Sequence, residues 1–586
     1  MCSIIGYIGN KSAAHLLVCG LKRMEYRGYD SVGIATSHDD TIEIKKGVGK
    51  VSEVDNVENL QSLLGNVGIG HTRWATHGAV TSTNAHPHKS STGQIAIVHN
   101  GIIDNYGTLK QKLEKLGYSF RSETDSEVIS NLLQYYFDHT KDVKKSVIET
   151  VKELEGEYSF VAVFEDGTLA AARFHEPLVI GMGKNGYFVS SDVLGFVEHT
   201  DEVIYPENGE IVTVGPNGLQ FFDFSGKFVK HQIIKVSKEF ADAYKGDYAH
   251  FTLKEIFDQP QCVIKAGEAS RKEMEDSTNT LKEYKNIFLT GSGTSYHATL
   301  VAKHLFLKFG KIKVEPIISS ESRFYPDYFD ENSILIALSQ SGESADVLET
   351  VKIAKSRRTK VISIVNIMTS SLVQESLYSI GLNCGPEIGV AATKSFTAQL
   401  SIIYKIISIL SSGAIKPDFN QISEKISSIL SRRSEIEEIA KELKTASDIY
   451  VLGRGIHYPI ALEAALKLKE LTYIHAEGLP GGELKHGPLA LVDSNVYVII
   501  LNPTDSTYMD TLSSAHEIKA RKAKIIGISD RHSEVYDHWI NIPPIEEPYA
   551  PLLEILPIQL LAYYAALEKH TDPDYPRNLA KSVTVK

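Results

Sequence analysis

Long apolar runs, a basic leader and paired cysteines are all missing from this sequence of 586 residues. No run of about 18 or more uncharged apolar residues occurs, so we expect no membrane span. No basic stretch followed by an apolar core opens the chain, so we expect no secretory signal. The four cysteines have no CxxC spacing, which indicates neither a zinc site nor a disulfide framework. Few cysteines without a signal are typical of the reducing cytoplasm, where we expect this protein to be.

A concentration of positive charge is missing as well. The formal net charge is −12, the isoelectric point is near 6.0, and Lys and Arg form no long cluster. This distribution argues against nucleic acid as a partner, although a locally positive pocket can still hold a small anion. The sequence also lacks a dinucleotide fingerprint and a cluster of metal ligands, so we predict no cofactor and no metal.

The chain is too long for one hydrophobic core, and its pattern changes along its length. Residues 1–240 contain many short apolar runs with Gly-rich turns and few helical patterns, which predicts a layered α+β domain. Residues 241–440 and 441–575 alternate apolar strands with amphipathic helices, which predicts two α/β subdomains with parallel sheets. The tail, 576–586, has no strong periodicity.

The two α/β segments repeat one pattern. Ile-Phe-Leu-Thr-Gly-Ser-Gly from Ile287 corresponds to Ile-Tyr-Val-Leu-Gly-Arg-Gly from Ile449, at an offset of 162 residues (449 − 287). The apolar strand that starts at Ser333 corresponds to the one that starts at Asn495 at the same offset (495 − 333). Two segments that share one offset predict a tandem duplication, divided near residue 440.

The first candidate for chemistry is Cys2. Removal of Met1 would make it the N-terminus, where a nucleophilic thiol and an α-amino base with a reference pKa of about 7.7–8.0 share one residue. A buried, inert cysteine is the alternative for Cys2 taken alone. The nucleophile is favoured by segments dense in polar and aromatic groups, at 27–31, 71–78, 84–88, 98–101 and 122–126.

Together these segments resemble the glutaminase domain of amidotransferases that use an N-terminal nucleophile, over about the first 235 residues. The resemblance implies that Arg73 binds the glutamine carboxylate, which suits a bidentate guanidinium, and that Asp125 binds the ammonium. It also implies an oxyanion hole made by the Asn100 side chain and the Gly101 backbone N–H. The other glutamine-site residues that it implies are Trp74, which resembles an aromatic gate between two active sites, Thr76, His77 and His86. The two histidines are explained equally well as structural residues.

Three positions depart from this glutaminase pattern. Ser3 stands where the family usually has glycine, a residue that tolerates closer approach of backbone. His175 and Glu176 replace the small pair that usually precedes Pro-Leu-Val-Ile-Gly. None of these departures removes a proposed catalytic group.

Two hydroxyl-rich turns between a strand and a helix form the second candidate site. Gly-Ser-Gly-Thr-Ser at 291–295 and Ser-Gln-Ser-Gly-Glu-Ser at 339–344 each follow an apolar strand. Backbone N–H groups and hydroxyls can bind an anion at such helix N-termini. Because the third glycine of a dinucleotide fingerprint and the lysine of a Walker loop are missing, the pair favours a phosphate without a nucleotide. A single such turn has a purely structural alternative, and the second copy has Asn-Pro-Thr-Asp at 502–505 instead, so we expect one phosphate site per chain.

These turns resemble those of the sugar isomerase family, which binds phosphosugars. The resemblance implies contacts with phosphate and sugar hydroxyls from Thr294, Ser295, Ser339, Gln340, Ser341, Ser344 and Val390. The segment Glu-Ile-Gly-Val-Ala-Ala-Thr-Lys at 387–394 also matches, with Ala392 in place of the usual serine.

The second copy carries a row of charged residues in an apolar helix. Glu463, Lys467 and Glu470 are spaced i, i+4 and i+7 and therefore share one helix face. A surface ion-pair stripe, which would contribute little, is the alternative. The stretch 461–490 closely resembles the isomerase half of the glutamine-dependent glucosamine-6-phosphate synthases, and with the glutaminase motifs this resemblance covers the whole chain.

The synthase resemblance implies roles for four residues. Isomerising a ketose phosphate moves a proton between C1 and C2, which needs a base at the sugar. The resemblance assigns this to Glu470, with assistance from Lys467, and assigns ring opening to His486, supplied across the subunits of a homodimer. It assigns a Schiff base with the open ketose to Lys581 in the tail; a solvated tail lysine is the alternative.

The sequence therefore predicts an α+β N-terminal-nucleophile glutaminase domain followed by two tandem α/β parallel-sheet sugar isomerase subdomains. The expected activity is synthesis of glucosamine 6-phosphate from glutamine and fructose 6-phosphate. A different amidotransferase would need a pyrophosphate or ATP signature, and a deaminase would leave the glutaminase half unexplained. A non-catalytic phosphosugar regulator is disfavoured because Cys2, Glu470, His486 and Lys581 are all present.

Overall fold

The computed structural model describes residues 2–75, 77–215, 218–236, 247–269 and 271–583. The chain forms two compact units. Of the described residues, the first unit contains those up to 236 together with 582–583, and the second contains those from 247 to 581.

The first unit contains two antiparallel sheets. One has the strand order β15-β11-β9-β10-β1-β4-β2-β3 and the other β14-β13-β12-β8-β7-β6-β5. The strands are β1 (Ser3–Gly9), β2 (Ser31–His38), β3 (Thr41–Val48), β4 (Val67–Arg73), β5 (His88–Lys89), β6 (Ile95–Ile103), β7 (Gly156–Phe164), β8 (Leu169–Phe174), β9 (Val179–Gly183), β10 (Gly186–Ser190), β11 (Glu202–Ile204), β12 (Glu210–Gly215), β13 (Gly218–Asp223), β14 (Phe228–Val229) and β15 (Ile234–Lys235).

Helices cover the outer faces of these sheets. They are α1 (Ala13–Met24), α2 (Val51–Glu58), α3 (Tyr106–Lys115), α4 (Glu127–Thr140) and α5 (Val143–Glu153). Successive side chains of β6 point to opposite faces: Ile95 and Ile97 join the core beneath α3, α4 and α5, whereas Ala96 and Val98 join the core between the sheets. The predicted layered α+β domain is confirmed.

The second unit contains two five-stranded parallel sheets. Its strands are β16 (Asn286–Gly291), β17 (Val314–Ile318), β18 (Ser333–Ser339), β19 (Lys360–Val365), β20 (Tyr378–Gly381), β21 (Asp448–Gly453), β22 (His475–Pro480), β23 (Tyr497–Leu501), β24 (Lys524–Ser529) and β25 (His538–Asn541). Its helices are α6 (Phe251–Gly267), α7 (Arg271–Leu281), α8 (Thr294–Leu305), α9 (Ala345–Ser356), α10 (Ser371–Gln374), α11 (Lys394–Leu410), α12 (Phe419–Ser431), α13 (Arg433–Glu442), α14 (Tyr458–Thr472), α15 (Tyr508–Lys519) and α16 (Ala550–Glu568).

Both parallel sheets follow one plan. Their orders are β17-β16-β18-β19-β20 and β22-β21-β23-β24-β25. In each sheet, the strand that comes second in the sequence is at the edge, and the first strand lies between the second and the third. All seven residues of β18 are buried, as expected for a parallel strand covered on both faces. The predicted tandem repeat of α/β subdomains is confirmed.

The ladder register corrects one detail of the repeat. Ile287 pairs with Ile334, but its counterpart Ile449 pairs with Tyr497. The offset between β18 and β23 is therefore 163 residues (497 − 334), and the predicted value of 162 is wrong there. The second copy has one extra residue between its first and third strands.

One segment of the described chain, Glu547–Glu568, is long and apolar enough to cross a membrane. Within the protein, however, 94% of its most apolar stretch is buried. A buried core helix and a membrane span pass the same test of length and composition, so this segment is weak evidence for a membrane span.

Candidate active sites

Cys2 lies beside the ends of two neighbouring strands. It immediately precedes β1, and its Sγ accepts a hydrogen bond from the Trp74 N–H at 3.3 Å. The Asn100 side chain, on β6, donates through Nδ2 to the Cys2 carbonyl at 3.2 Å. Enclosure by protein raises the pKa of the Cys2 thiol, and the Trp74 N–H and the charge of Arg73 partly oppose that rise.

The predicted oxyanion-hole residues are neighbours on β6. Asn100 is buried, and its side chain interacts with the buried His71 ring. Gly101 follows in β6 with a φ of +109°, and a Cβ at this position would lie 2.0 Å from the carbonyl oxygen of Glu157. Glycine is therefore required there by both conformation and space.

The two predicted glutamine anchors, Arg73 and Asp125, are both buried. The Arg73 guanidinium donates to the carbonyls of His77, Gly78 and Ala79, the last two at 3.2 Å. Asp125 accepts the Ile103 N–H at 2.9 Å, and its charge interacts with that of Arg73. Arg73 therefore lies within electrostatic range of both the Cys2 thiol and the Asp125 carboxylate.

The predicted histidines differ in setting. His86 is buried in a cluster with its ring 4.0 Å from that of His71 and 4.5 Å from that of His88, and it accepts the His99 N–H. Burial holds the pKa of His86 well below its usual value, which favours a neutral structural residue. His77 is partly exposed and contacts the Tyr106 ring edge-on. Thr76 lies outside the described residues.

In the second unit, the two hydroxyl-rich turns meet at one edge of a sheet. They follow β16 and β18, which are adjacent, and lead into α8 and α9. Because β17 lies on the other side of β16, the strand order reverses between β16 and β18, which is where ligands bind in open α/β sheets. Gly293, just before α8, has a φ of +52°.

The hydroxyls of these turns are already oriented by local hydrogen bonds. Ser339 accepts the Gly342 N–H at 2.9 Å, Ser341 accepts the Glu343 N–H at 3.2 Å, and Ser295 accepts from the Gln399 side chain at 2.9 Å. Two further predicted residues belong to the turn at 339–344: the Gln340 carbonyl accepts the Asn366 N–H, and Ser344 occupies the N-cap position of α9. The Val390 N–H donates to the Asp574 carbonyl at 3.1 Å.

In the charged row on α14, Glu463 and Lys467 are buried and Glu470 is partly buried. Lys467 Nζ lies 2.5 Å from Glu470 Oε2 and 3.5 Å from Glu463 Oε1. Glu463 also accepts from Thr294 at 3.0 Å and contacts His297 Nδ1 at 2.7 Å, which joins α14 to α8 of the first copy. The interpretation as a surface ion-pair stripe is therefore wrong.

Lys581 is likewise buried, so the interpretation as a solvated tail lysine is wrong. Its Nζ donates to Glu387 Oε2 at 2.6 Å and to the Gly389 carbonyl at 2.8 Å. Burial alone would raise the pKa of Glu387, but the charge of Lys581 and backbone N–H groups of Ser395 and Thr393 hold it at about 2.

The buried lysine of the tail faces the charged row of α14. Burial raises the pKa of the Glu470 carboxyl, while the charges of Lys467 and, more weakly, Lys581 oppose the rise. The structure therefore brings Lys467, Glu470 and Lys581 into one charged cluster. His486 is not part of it: its side chain is exposed on the turn Glu483–His486, and among the described residues no hydrogen bond or ion pair joins it to the other three.

Comparison with known proteins accounts for both halves of the chain. Residues 71–197 match the model of the glutamine amidotransferase domain, and residues 280–409 and 442–569 each match the SIS domain. The glutamine–fructose-6-phosphate aminotransferases (isomerizing) of Pyrococcus horikoshii and Methanothermobacter thermautotrophicus are 44% and 42% identical to this chain over the full length of both proteins. The chain belongs to the glutamine–fructose-6-phosphate aminotransferase (isomerizing) family.

A solved structure supports the second half separately. The C-terminal domain of the glucosamine-fructose-6-phosphate aminotransferase from Francisella tularensis is 35% identical, with a TM-score of 0.52, and covers 57% of this chain and all of that one. The family thus accounts for the duplicated parallel sheets.

Two of the three departures from the family's glutaminase pattern have a structural account. Ser3 is fully buried, and its hydroxyl donates to the Met24 carbonyl at the end of α1 at 2.8 Å, so the extra polar atom is satisfied. Glu176 is buried, and its negative charge adds to the rise in the pKa of Cys2. Sequence patterns located both residues but did not indicate the electrostatic effect of Glu176.

In the second copy, the strand order reverses between β21 and β23, and a charged cluster that the sequence did not reveal lies there. His457 Nε2 lies 2.6 Å from Asp505 Oδ2 and His457 Nδ1 lies 2.8 Å from Glu554 Oε1, with all three side chains buried. Burial alone would lower the pKa of His457, but the two carboxylates raise it to about 10. His457 stands 162 residues after Ser295 (457 − 295), and that offset was the available signal.

Proposed function

We propose that this protein makes glucosamine 6-phosphate from glutamine and fructose 6-phosphate, with ammonia passed internally from one half to the other. The observation that carries the proposal is the burial of Lys581 beside Glu387 and opposite Glu470. An amine on the chain's tail, enclosed with a base, is suited to bind an open-chain ketose. Membership of the family supports the same reaction.

In the glutaminase half, Cys2 attacks the glutamine amide carbon. Arg73 and Asp125 hold the carboxylate and ammonium of the amino acid, and Trp74 and His77 complete the site. The Asn100 side chain and the Gly101 N–H stabilise the oxyanion that forms. The ammonia leaves, and water then releases glutamate from the thioester.

In the sugar-phosphate half, the phosphate binds at the helix N-termini that follow β16 and β18. The Lys581 amine attacks C2 of the open ketose, and water leaves as the imine forms. Ammonia then replaces the lysine at C2, and Glu470 moves a proton from C1 to C2 with Lys467 beside it. Opening of the sugar ring is assigned to His486.

Three further assignments belong to this proposal. The surface position of His486 supports a homodimer in which His486 of the partner subunit reaches the sugar site. The domains are 1–240 for glutamine hydrolysis, 241–440 and 441–575 for the sugar isomerase subdomains, and 576–586 for the active-site tail. The protein works in the cytoplasm, without nucleic acid or membrane as a partner.

The test uses the purified full-length chain with glutamine and fructose 6-phosphate. We expect glutamate and glucosamine 6-phosphate together, with both lost in Cys2→Ala when glutamine is the donor. Lys581→Met is expected to lose the amino sugar but to keep glutamate formation. Glutamate without amino sugar in the unmodified protein would refute the proposed acceptor, and neither product would favour a phosphosugar-binding regulator.

A further inference from the structure

Within the described part of the chain, one short segment supplies both hydrogen-bond acceptors of Lys581. Glu387 contributes its carboxylate at 2.6 Å, and Gly389, two residues later, contributes its carbonyl at 2.8 Å. Glu387 is itself fixed at the start of α11, where it accepts the N–H groups of Thr393 and Ser395, each at 3.0 Å. The position of the lysine amine therefore depends on the backbone of residues 387–389.

A second buried carboxyl group, from α6, holds the same segment. Glu255 Oε1 accepts the N–H groups of Ile388 and Gly389, the latter at 3.2 Å. The approach leaves no room for a side chain at 389: a Cβ there would lie 2.7 Å from Thr252 Oγ1 and 3.0 Å from Glu255 Oε2. Glu255 thus holds the backbone of the same tripeptide, residues 387–389, that supplies the acceptors of Lys581.

The surroundings of Glu255 favour its protonated form. Its Oε2 is buried and has no hydrogen-bond partner among the described residues, and an ionised oxygen in such a place is costly. Burial and the negative charge of Glu387 raise the pKa of Glu255 to about 8, against the opposing charges of Lys581 and Lys394. Lys394 is itself paired with Asp258 at 2.9 Å.

The start of α6 presents one more charged group. The carboxylate of Asp574 accepts the N–H groups of Phe251 and Thr252, at 2.9 and 2.8 Å. Glu255 and Glu387 therefore both hold the segment 387–389, but their surroundings give them different charges. At pH 7, Glu387 is ionised and Glu255 is neutral.

We propose that Glu255 is a positioning residue for the Schiff-base lysine, and that in its protonated form it holds residues 387–389 so that Lys581 can become a neutral amine. The inference rests on the proposed function, because it deepens the imine-forming step. An ionised Glu255 would place a second negative charge beside the acceptors of Lys581. That charge would hold the lysine as an ammonium and would strain the contact with Glu387.

The imine can be trapped chemically. Attack by the Lys581 lone pair on C2 forms a C–N bond, the amine loses its protons, and the ketose oxygen leaves as water. Cyanoborohydride then delivers hydride to the C=N bond and leaves a stable secondary amine on Lys581. The yield of this adduct with fructose 6-phosphate, measured by mass spectrometry of the full-length protein, reports the imine directly between pH 6.5 and 9.5.

Glu255→Gln keeps the acceptor oxygen but cannot ionise. We expect the ratio of wild-type to Glu255→Gln adduct to fall about tenfold between pH 7 and pH 9, because one pH unit above a pKa of about 8 leaves roughly a tenth of the group protonated. Taking this ratio cancels the reagent's own pH dependence. Glu255→Asp, which still ionises, is expected to show the fall.

One control variant and two contrasting outcomes complete the test. Glu268→Gln, an exposed substitution at the end of the same helix, is expected to follow the wild type. Matching pH profiles for the wild type and Glu255→Gln would overturn the role of Glu255 and leave the proposed function intact. Absence of any Lys581 adduct in the wild type at every pH would instead overturn the proposed function, and this inference with it.

Discussion

The Nζ atom of Lys581 lies 2.6 Å from Oε2 of Glu387, and both side chains are buried. The two residues are 194 positions apart in the sequence. Their ion pair fixes the otherwise irregular tail against the start of α11. It also gives the tail lysine a fixed charge environment, which a solvated lysine would lack.

Breaking this pair is expected to lower stability. Lys581→Met leaves the Glu387 carboxylate buried without its cation, at a cost of about 3–5 kcal/mol, and should lower the thermal unfolding midpoint. The double variant Lys581→Met/Glu387→Gln should regain part of that loss, since no bare charge remains. Additive losses in the double variant would contradict a direct coupling.

The same pair predicts a dependence on acidic pH. The pKa of Glu387 is about 2 in the folded protein, below the ordinary value of 4.5. Its contribution is fully present above pH 4.5 and is lost as the pH falls toward 2. The difference in unfolding midpoint between the wild type and Glu387→Gln should therefore shrink on acidification below pH 4.5; a constant difference would argue against this linkage.

Asn100→Ala is expected to slow glutamine hydrolysis by about 10²–10³ in kcat with a smaller change in KM, because an oxyanion donor acts mainly in the transition state. The measurement is the rate of glutamate release. Asn66→Ala, which removes an exposed asparagine, serves as the matched control. A loss confined to KM would assign Asn100 to substrate binding instead.

Glu176→Gln is expected to shift the pH profile of glutamine hydrolysis to lower pH. The carboxylate of Glu176 raises the pKa of the Cys2 thiol, so its removal should let the thiolate form at lower pH, by about one unit at most. His175→Ser changes the neighbouring residue and should leave the profile in place. A shift to higher pH after Glu176→Gln would show that the carboxylate acts in another way.

His457→Gln is expected to destabilise the protein at pH 7 by about 3–5 kcal/mol, because two buried carboxylates lose their shared cation. The pKa of His457 is about 10, above its ordinary value of 6.5. The stabilisation is thus fully present below pH 6.5 and is lost as the pH rises toward 10. Unfolding midpoints of both proteins between pH 6 and 10 should converge; a gap that stays constant would contradict a charged His457.

Much of the fold followed from local pattern. The apolar run at 334–338 in β18 and the matching runs after Ile287 and Ile449 predicted two copies of a parallel sheet, since a strand covered on both faces is largely apolar. The one-residue error at β23 arose because sequence periodicity carries no information on ladder register. Strand pairing is set by contacts between strands that are distant in the sequence.

For the candidate sites, the sequence predicted which residues take part but not which of them are buried. Cys2, Arg73, Asn100 and Asp125 were predicted from motifs, and the fold places their strands and turns side by side. The burial of Glu463 and Lys467 could not be read from their helical spacing, because a solvated stripe has the same spacing. Only the packing of α14 against α8 separated the two alternatives.

By itself, the sequence determined the types of chemical group, the order of the domains and the family, since these depend on local residue pattern. The tertiary structure decided which groups share a charge environment: Glu176 with Cys2, Glu255 with Glu387 and Lys581, and Asp505 with His457 and Glu554. The physical reason is that burial and electrostatic coupling act between side chains that are distant in sequence. Their strength depends on distances and on excluded water, which exist only once the chain has folded.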